Sequence, residues 1–302
     1  MHLNLPFGPV MSFDVQTGYA RDAAGVRDRG LATPGLAVTR CMARGTRVWA
    51  SRLTGGGVSR RLSPDDAHAL LREVRDAQAR DSRVVTFSGT TFDFPLLGAV
   101  AQDLDRAAYA ALNGYDPMIS VWIATGRLHS LAALATVNKI RPLLGTVSGD
   151  WYVESRRVPD LWAHARDDLV SVHAARQCIL VEELDRLIER DGAVWIPSRS
   201  AATGRVRVEV RRGRAVGLEL RELLGHTGAT AQEAAPRLHE LAARMRSWPP
   251  RTQWLFPYLL PMGTFEAAAR LDAERRTERA GLRGRRGVRK ERPRPDPEWP
   301  NG

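Results

Sequence analysis

Three aspartates stand apart from the other acids of this 302-residue chain by their surroundings. Asp14 lies in the apolar run Met11-Ser-Phe-Asp-Val-Gln-Thr-Gly18, Asp93 in Ser88-Gly-Thr-Thr-Phe-Asp-Phe-Pro-Leu-Leu97, and Asp168 closes His164-Ala-Arg-Asp-Asp168. Carboxylates converging from separate segments can hold divalent cations, and two such ions about 3.5–4 Å apart can hydrolyse a phosphodiester. Each aspartate also has a plainer role. A charge inside an apolar strand is costly unless it meets a cation or a partner, but Asp14 could equally cap a turn with Thr17. Asp93, just ahead of Pro95 and an apolar run, has the form of a helix N-cap. His164 and Asp168, four apart on an expected helix, would share a face, as any solvated surface pair would; Asp167 points elsewhere.

The elements that must position these residues follow from pattern. Residues 10–16 read as a buried strand, and residues 36–43 and 46–53 as two strands joined by an Arg-Gly turn, a hairpin. Ser63-Pro-Asp-Asp66 opens a helix with a cap residue, a first-turn proline and acids at the positive end. Its apolar positions, Ala67, Leu70, Leu71 and Val74, keep helical spacing. Residues 83–87 form a further strand ended by Gly89, and residues 92–100 a further helix. Helical patterns run from 103 to 192, interrupted near Pro117 and over 143–151, and 160–190 is long and amphipathic. An antiparallel hairpin followed by a crossover to a parallel strand defines the expected fold class, an α/β ribonuclease H-like mixed sheet flanked by helices.

After Gly192 the composition changes. A short strand is expected over 194–197, an Arg/Val alternation over 205–211, a helix over 232–247 and a break at Pro249-Pro250. Trp248, Trp254, Phe256 and Tyr258 could stack bases but suit a small core better. From about Arg275 the chain carries ten basic and four acidic residues and few large apolar ones, so it is expected to be disordered. The expected division is 1–192 for the main domain, 193–274 for a small α+β C-terminal module and 275–302 for the basic tail.

The net charge of +11 favours polyanionic partners. Only two of the 45 basic residues are lysines, Lys139 and Lys290, the Arg-rich, Lys-poor usage that a GC-rich coding sequence produces. Cys41 and Cys178 are the only cysteines. They form no CxxC pair and sit at no zinc spacing, and a reducing cytoplasmic setting is the expectation. No apolar run approaches the roughly 20 residues of a membrane span, and no secretory pattern opens the chain. The common nucleotide and hydrolase motifs are absent, and Gly55-Gly-Gly57 reads as a loop rather than a phosphate cradle.

Taken in order and with their flanks, the three aspartate segments resemble the motifs of DEDD-type 3′–5′ exonucleases. Phe-Asp-x-Gln-Thr-Gly resembles the first motif, Asp-x-Glu-Thr. Ser-Gly-x-x-Phe-Asp resembles the second, Asn-Gly-x-x-Phe-Asp, and Ala-Arg-Asp-Asp-Leu the third. Tyr115-Asp116 followed by Ser130-Leu-Ala-Ala-Leu134 is similar to the matching stretch of polymerase-B-like and YprB-like exonuclease domains. The resemblance covers roughly residues 10–185. It implies a two-metal Mg2+ or Mn2+ site on Asp14, Gln16, Asp93 and Asp168. In that scheme Asp14 bridges the ions, Asp93 supports one, Asp168 is a further ligand and His164 orients the attacking water.

Three positions depart from the pattern, with His164 standing where the third motif usually has tyrosine. Gln16 replaces the glutamate of the first motif, so the site loses one negative charge and binds a divalent ion less well. Ser88 replaces the asparagine of the second. Either the enzyme is weak or Mn2+-dependent, or another acid such as Asp22 or Asp116 substitutes, or the fold binds nucleic acid without cutting. The expected function is therefore metal-dependent 3′–5′ exonuclease action on DNA or RNA, at single-stranded 3′ ends. The alternative is a degenerate exonuclease fold that serves as a nucleic-acid-binding module. A third possibility is an interaction protein whose basic surface reflects genome composition.

Overall fold

The computed structural model describes residues 9–18, 33–41, 44–51, 61–140, 158–164, 166–198, 200–211, 213, 215–224, 254, 255 and 258. Several expectations lie outside them: Asp22, the glycine run at 55–57, the break at 143–151, the helix at 232–247, Trp248, Phe256 and the basic tail. A four-stranded sheet has the order β3-β2-β1-β4, with β1 at Val10–Gly18, β2 at Thr33–Cys41, β3 at Gly45–Ala50 and β4 at Arg83–Val85. β1 pairs antiparallel with β2 and parallel with β4, which is the mixed plan expected from the sequence. Between β3 and β4 runs helix α1 (Pro64–Ala79). It starts where its chemistry predicts: Ser63 is the N-cap and accepts the Asp66 amide at 3.1 Å, with proline in the first turn and Asp65 and Asp66 at the positive end.

The alternation of β1 decides what lies on each side of the sheet. Met11, Phe13 and Val15 are buried in a cluster with α1 residues Leu70, Leu71 and Val74 and with Phe94 and Leu97 of α2 (Asp93–Ala101). Ser12, Asp14 and Gln16 point to the opposite face, because strand side chains alternate with period two. That face is covered by the 25-residue helix α7 (Asp167–Asp191). Ser12 donates to Glu182 of α7 at 2.7 Å, and Arg40 of β2 forms an ion pair with the same carboxylate. Arg83 of β4 reaches Asp185 and Glu189, both at 2.5 Å.

Of three further helices, α3 (Leu104–Asn113) packs in the α1 cluster, α5 (Leu131–Val137) in the cluster with α7, and α4 (Pro117–Thr125) contributes to both. The interruption expected near Pro117 is a helix start, with Pro117 in the first turn and Asp116 as its cap. The amphipathic segment at 160–190 is not continuous. Helix α6 (Val158–Ala163) ends where the Arg166 amide returns to the Leu161 carbonyl at 2.9 Å, and α7 begins at Asp167. His164 therefore sits in the turn after α6 and Asp168 in the first turn of α7, so the expectation that they share one helical face does not hold.

β5 (Ala193–Pro197) and β6 (Arg205–Glu209) form an antiparallel hairpin, followed by α8 (Val216–Leu224). Val194 and Ile196 of β5 pack in one cluster with Leu180, Leu184 and Ile188 of α7. Val216 and Leu220 of α8, together with Leu255, pack in the cluster beneath β1. Trp254 and Tyr258 lie against that cluster as well. Among the described residues no helix is long and apolar enough to cross a membrane.

Candidate acidic site

β4 ends at Val85, whose neighbour across the parallel pair is Ser12. Beyond Ser12, β1 has no partner strand on that side, and the chain turns instead through Thr86–Thr91 into α2. Ser88 takes a left-handed conformation (φ 68°), which is unfavourable for residues other than glycine, asparagine and aspartate. Gly89 approaches Thr86 so closely that a Cβ there would lie 2.3 Å from its hydroxyl. Asp116 ties this turn down: it accepts the amides of Ser88 (3.0 Å), Thr90 (3.1 Å) and Met118 (3.1 Å). Trp254 adds a bond from its indole N–H to the Thr90 carbonyl at 3.0 Å.

The turn delivers Asp93 as the first residue of α2, and the preceding cap position is Phe92. Asp93 is therefore not the N-cap. Its carboxylate is buried and accepts the Val15 amide, one of the β1 donors that β4 leaves unpaired. Asp14 lies beside it. Gln16, two residues on and on the same strand face, donates its amide N–H to the Asp14 carboxylate. A cavity of about 450 Å³ opens over this group, lined by Asp14, Gln16, Ser88, Asp93, His129 and Gln177 among others.

The electrostatics follow from two carboxylates taken out of water together. Burial raises the Asp14 carboxyl to about 7, and the Gln16 hydrogen bond offsets part of that rise. Asp93 is held well above the ordinary carboxylate range, first by burial and then by repulsion from Asp14 and Asp116, against the Val15 amide. Asp116 is raised to about 6 by burial, with its backbone donors opposing the rise. Buried Cys178 of α7 is pushed up by burial and then by Asp14. The pair is thus short of positive charge, and a proton or a cation relieves it.

Of the residues singled out from sequence, Asp14, Gln16 and Asp93 line the cavity, while His164 and Asp168 do not. His164 is exposed, its Nδ1 2.7 Å from the Asp160 carbonyl. The Asp168 side chain is 64% exposed and held by Arg166, which donates to both its oxygens at 3.0 Å. That contact keeps its carboxyl below the usual range. The α7 residues that line the cavity are Gln177 and Val181. Gln177 is nine positions after Asp168, which is roughly 180° around a helix and about 13 Å along it. Asp116, the other acid considered as a substitute, is spent on its three amides and does not line the cavity.

Pattern reasoning did not reach His129 and Gln177. His129 stands just before Ser130, the cap of α5, and its Nε2 is buried without a hydrogen-bond partner; burial and then Arg127 lower its pKa. Gln177 bonds to His173 one turn earlier at 3.2 Å. A glutamine on a long amphipathic helix carries no mark of its role, and only the packing of α7 on β1 and β2 reveals it.

Among the described residues, no three His, Cys, Asp or Glu side chains converge closely enough to hold a metal ion. The set at the cavity is two carboxylates, two amides and the His129 imidazole. Such a set does not fit two ions, which need several carboxylates between them. It does fit one hydrated Mg2+, which keeps most of its waters and binds through one or two carboxylates together with a phosphate.

No family model matches the chain, and no curated protein matches it. Among solved structures, it is similar to the family B DNA polymerase from the hyperthermophilic archaeon Pyrobaculum calidifontis, at 11% identity and a TM-score of 0.41. The match covers 78% of this chain and 29% of the polymerase. A likeness this distant says nothing of activity.

Proposed function

We propose that this protein is an exonuclease-like nucleic-acid-binding domain with a reduced acidic site, one that holds a single-stranded 3′ end without cutting it. The observation that carries the reading is the pair of half-buried Asp14 and buried Asp93, with amides at Gln16 and Gln177 and no third acid lining the cavity among the described residues. Asp14 and Asp93 would hold one Mg2+ or Mn2+, which when bound supplies positive charge to a phosphate oxygen. Gln16 would keep the Asp14 carboxylate oriented through its hydrogen bond. The net charge of +11 would draw the strand in. Hydrolysis by the paired-ion route requires more carboxylate than this pair provides.

The reading is tested by titrating the full chain with Mn2+ and following free ion by electron paramagnetic resonance. One ion per chain is expected, with none bound by Asp14→Asn or Asp93→Asn. Two ions, or one that survives both substitutions, would overturn it.

A further inference from the structure

A second feature lies away from the acidic pair and shares no lining residue with it. Two adjoining cavities run between the end of α5, the last turns of α7 and the β5–β6 hairpin, and both are lined by Asn138, Lys139, Leu187 and Arg190. Cations reach this groove from three elements: Lys139 after α5, Arg186 and Arg190 on α7, and Arg205 and Arg207 on β6. Glu183 and Asp191 are the acids that line it. Arg186 pairs with Glu183, and Arg190 with Asp191 at 2.6 Å. Lys139, Arg205 and Arg207 remain in excess of those pairs.

The hairpin register adds an aromatic. Trp195 is directly opposite Arg207, and Pro197 opposite Arg205, so Trp195, Arg205 and Arg207 share one face. The Arg205 guanidinium stacks 4.5 Å from the centre of the Trp195 ring. A plainer role exists for both arginines, since each spends one N–H on the carbonyl end of a helix. Arg205 reaches the Val137 carbonyl at 2.8 Å and Arg207 the Asp191 carbonyl at 3.3 Å. A guanidinium has five N–H donors, so these bonds leave others for a ligand.

We propose that this groove is a second nucleic-acid contact, taking the sugar-phosphate backbone of a single strand. The proposal rests on the nucleic-acid reading above and adds where the strand runs away from the acidic pair. Charge complementarity selects a polyanion, since cations spread over three elements suit a chain of phosphates. The tryptophan beside two arginines suits a strand with exposed bases. Contacts of this kind carry no sequence information.

The test uses the full chain and a 5′-labelled single strand, with affinity measured across a salt series. Lys139→Asn with Arg207→Gln neutralises two of the groove cations in excess of the ion pairs, at the cost of the single 3.3 Å bond from Arg207 to the Asp191 carbonyl. The pair Arg72→Gln and Arg80→Gln on exposed positions of α1 and its C-cap is the control for net charge alone. Each phosphate that the protein no longer neutralises lowers the slope of log affinity against log salt by roughly 0.7 for a single strand, so a drop of about twice that is expected in the groove variant only. Equal slopes in the groove variant and the wild type, or equal drops in groove and control variants, would overturn the groove and leave the acidic-site reading standing. Failure of the wild-type chain to bind the strand at low salt would overturn both.

Discussion

Ser88 and Gly89 show how much of the site depends on two backbone positions. Serine is a poor occupant of a left-handed conformation, and Ser88 sits there at φ 68°. Ser88→Asn should raise stability by roughly 0.5–1 kcal/mol, since asparagine tolerates this region; a shift in urea midpoint at constant slope would measure it. Gly89→Ala should act the other way, by about 1–3 kcal/mol, because its Cβ collides with Thr86. An asparagine at position 88 would thus have a conformational reason that the sequence alone does not supply. Asp168 makes the opposite point. Its side chain is exposed and tied to Arg166, so Asp168→Ala should leave both melting temperature and strand affinity indistinguishable from wild type, whereas Asp93→Ala should reduce affinity. Loss of binding in Asp168→Ala would show that α7 carries its carboxylate into the site when a ligand is present.

At the scale of elements, the sheet was legible because its strands obey simple patterns. The apolar run around Asp14, the Arg-Gly hairpin turn and the Ser63-Pro start of α1 each had one good reading. The break between α6 and α7 was not legible, since residues 163–167 contain neither proline nor glycine. That break separates His164 from Asp168 and, with the rotation of α7, puts Gln177 over β1. What fixes the rotation is a set of buried polar contacts whose long-range partners no local pattern reveals: Ser12 and Arg40 to Glu182, and Arg83 to Asp185 and Glu189. Removing one partner of a buried pair strands the other charge. Arg83→Ala should therefore cost about 3–5 kcal/mol, read by chemical denaturation. A loss below about 1 kcal/mol would mean that water replaces the guanidinium without penalty.

For the molecule as a whole, the acidic pair links stability to pH and to cations. Asp14 has an ordinary value of 3.8 and is raised to about 7 in the fold, and Asp93 is raised as well. Between those values the folded chain holds protons that the unfolded chain has released. Stability without divalent ions should accordingly fall as pH rises from about 4 towards 7. Mg2+ should restore stability above pH 7 and have little effect near pH 5, where protons already neutralise the pair; melting temperatures with and without Mg2+ would show this. Asp14→Asn should weaken both dependences, and the pH dependence that remains comes from Asp93, Asp116 and Asp185, which the fold also raises. An unchanged melting temperature across that range would mean that water reaches the carboxylates freely. The same carboxylates that make the site costly to fold are those that would seat an ion, which ties the architecture of β1 and α2 to the proposed function.

The most direct test of a site that binds without cutting is a 5′-labelled single strand incubated with the full chain and Mn2+, resolved by length. The strand should stay intact in wild type while remaining bound, and binding should fall in Asp93→Ala. A ladder shortening from the 3′ end, present in wild type and abolished by Asp14→Ala, would contradict the account and establish a working exonuclease that tolerates Gln16.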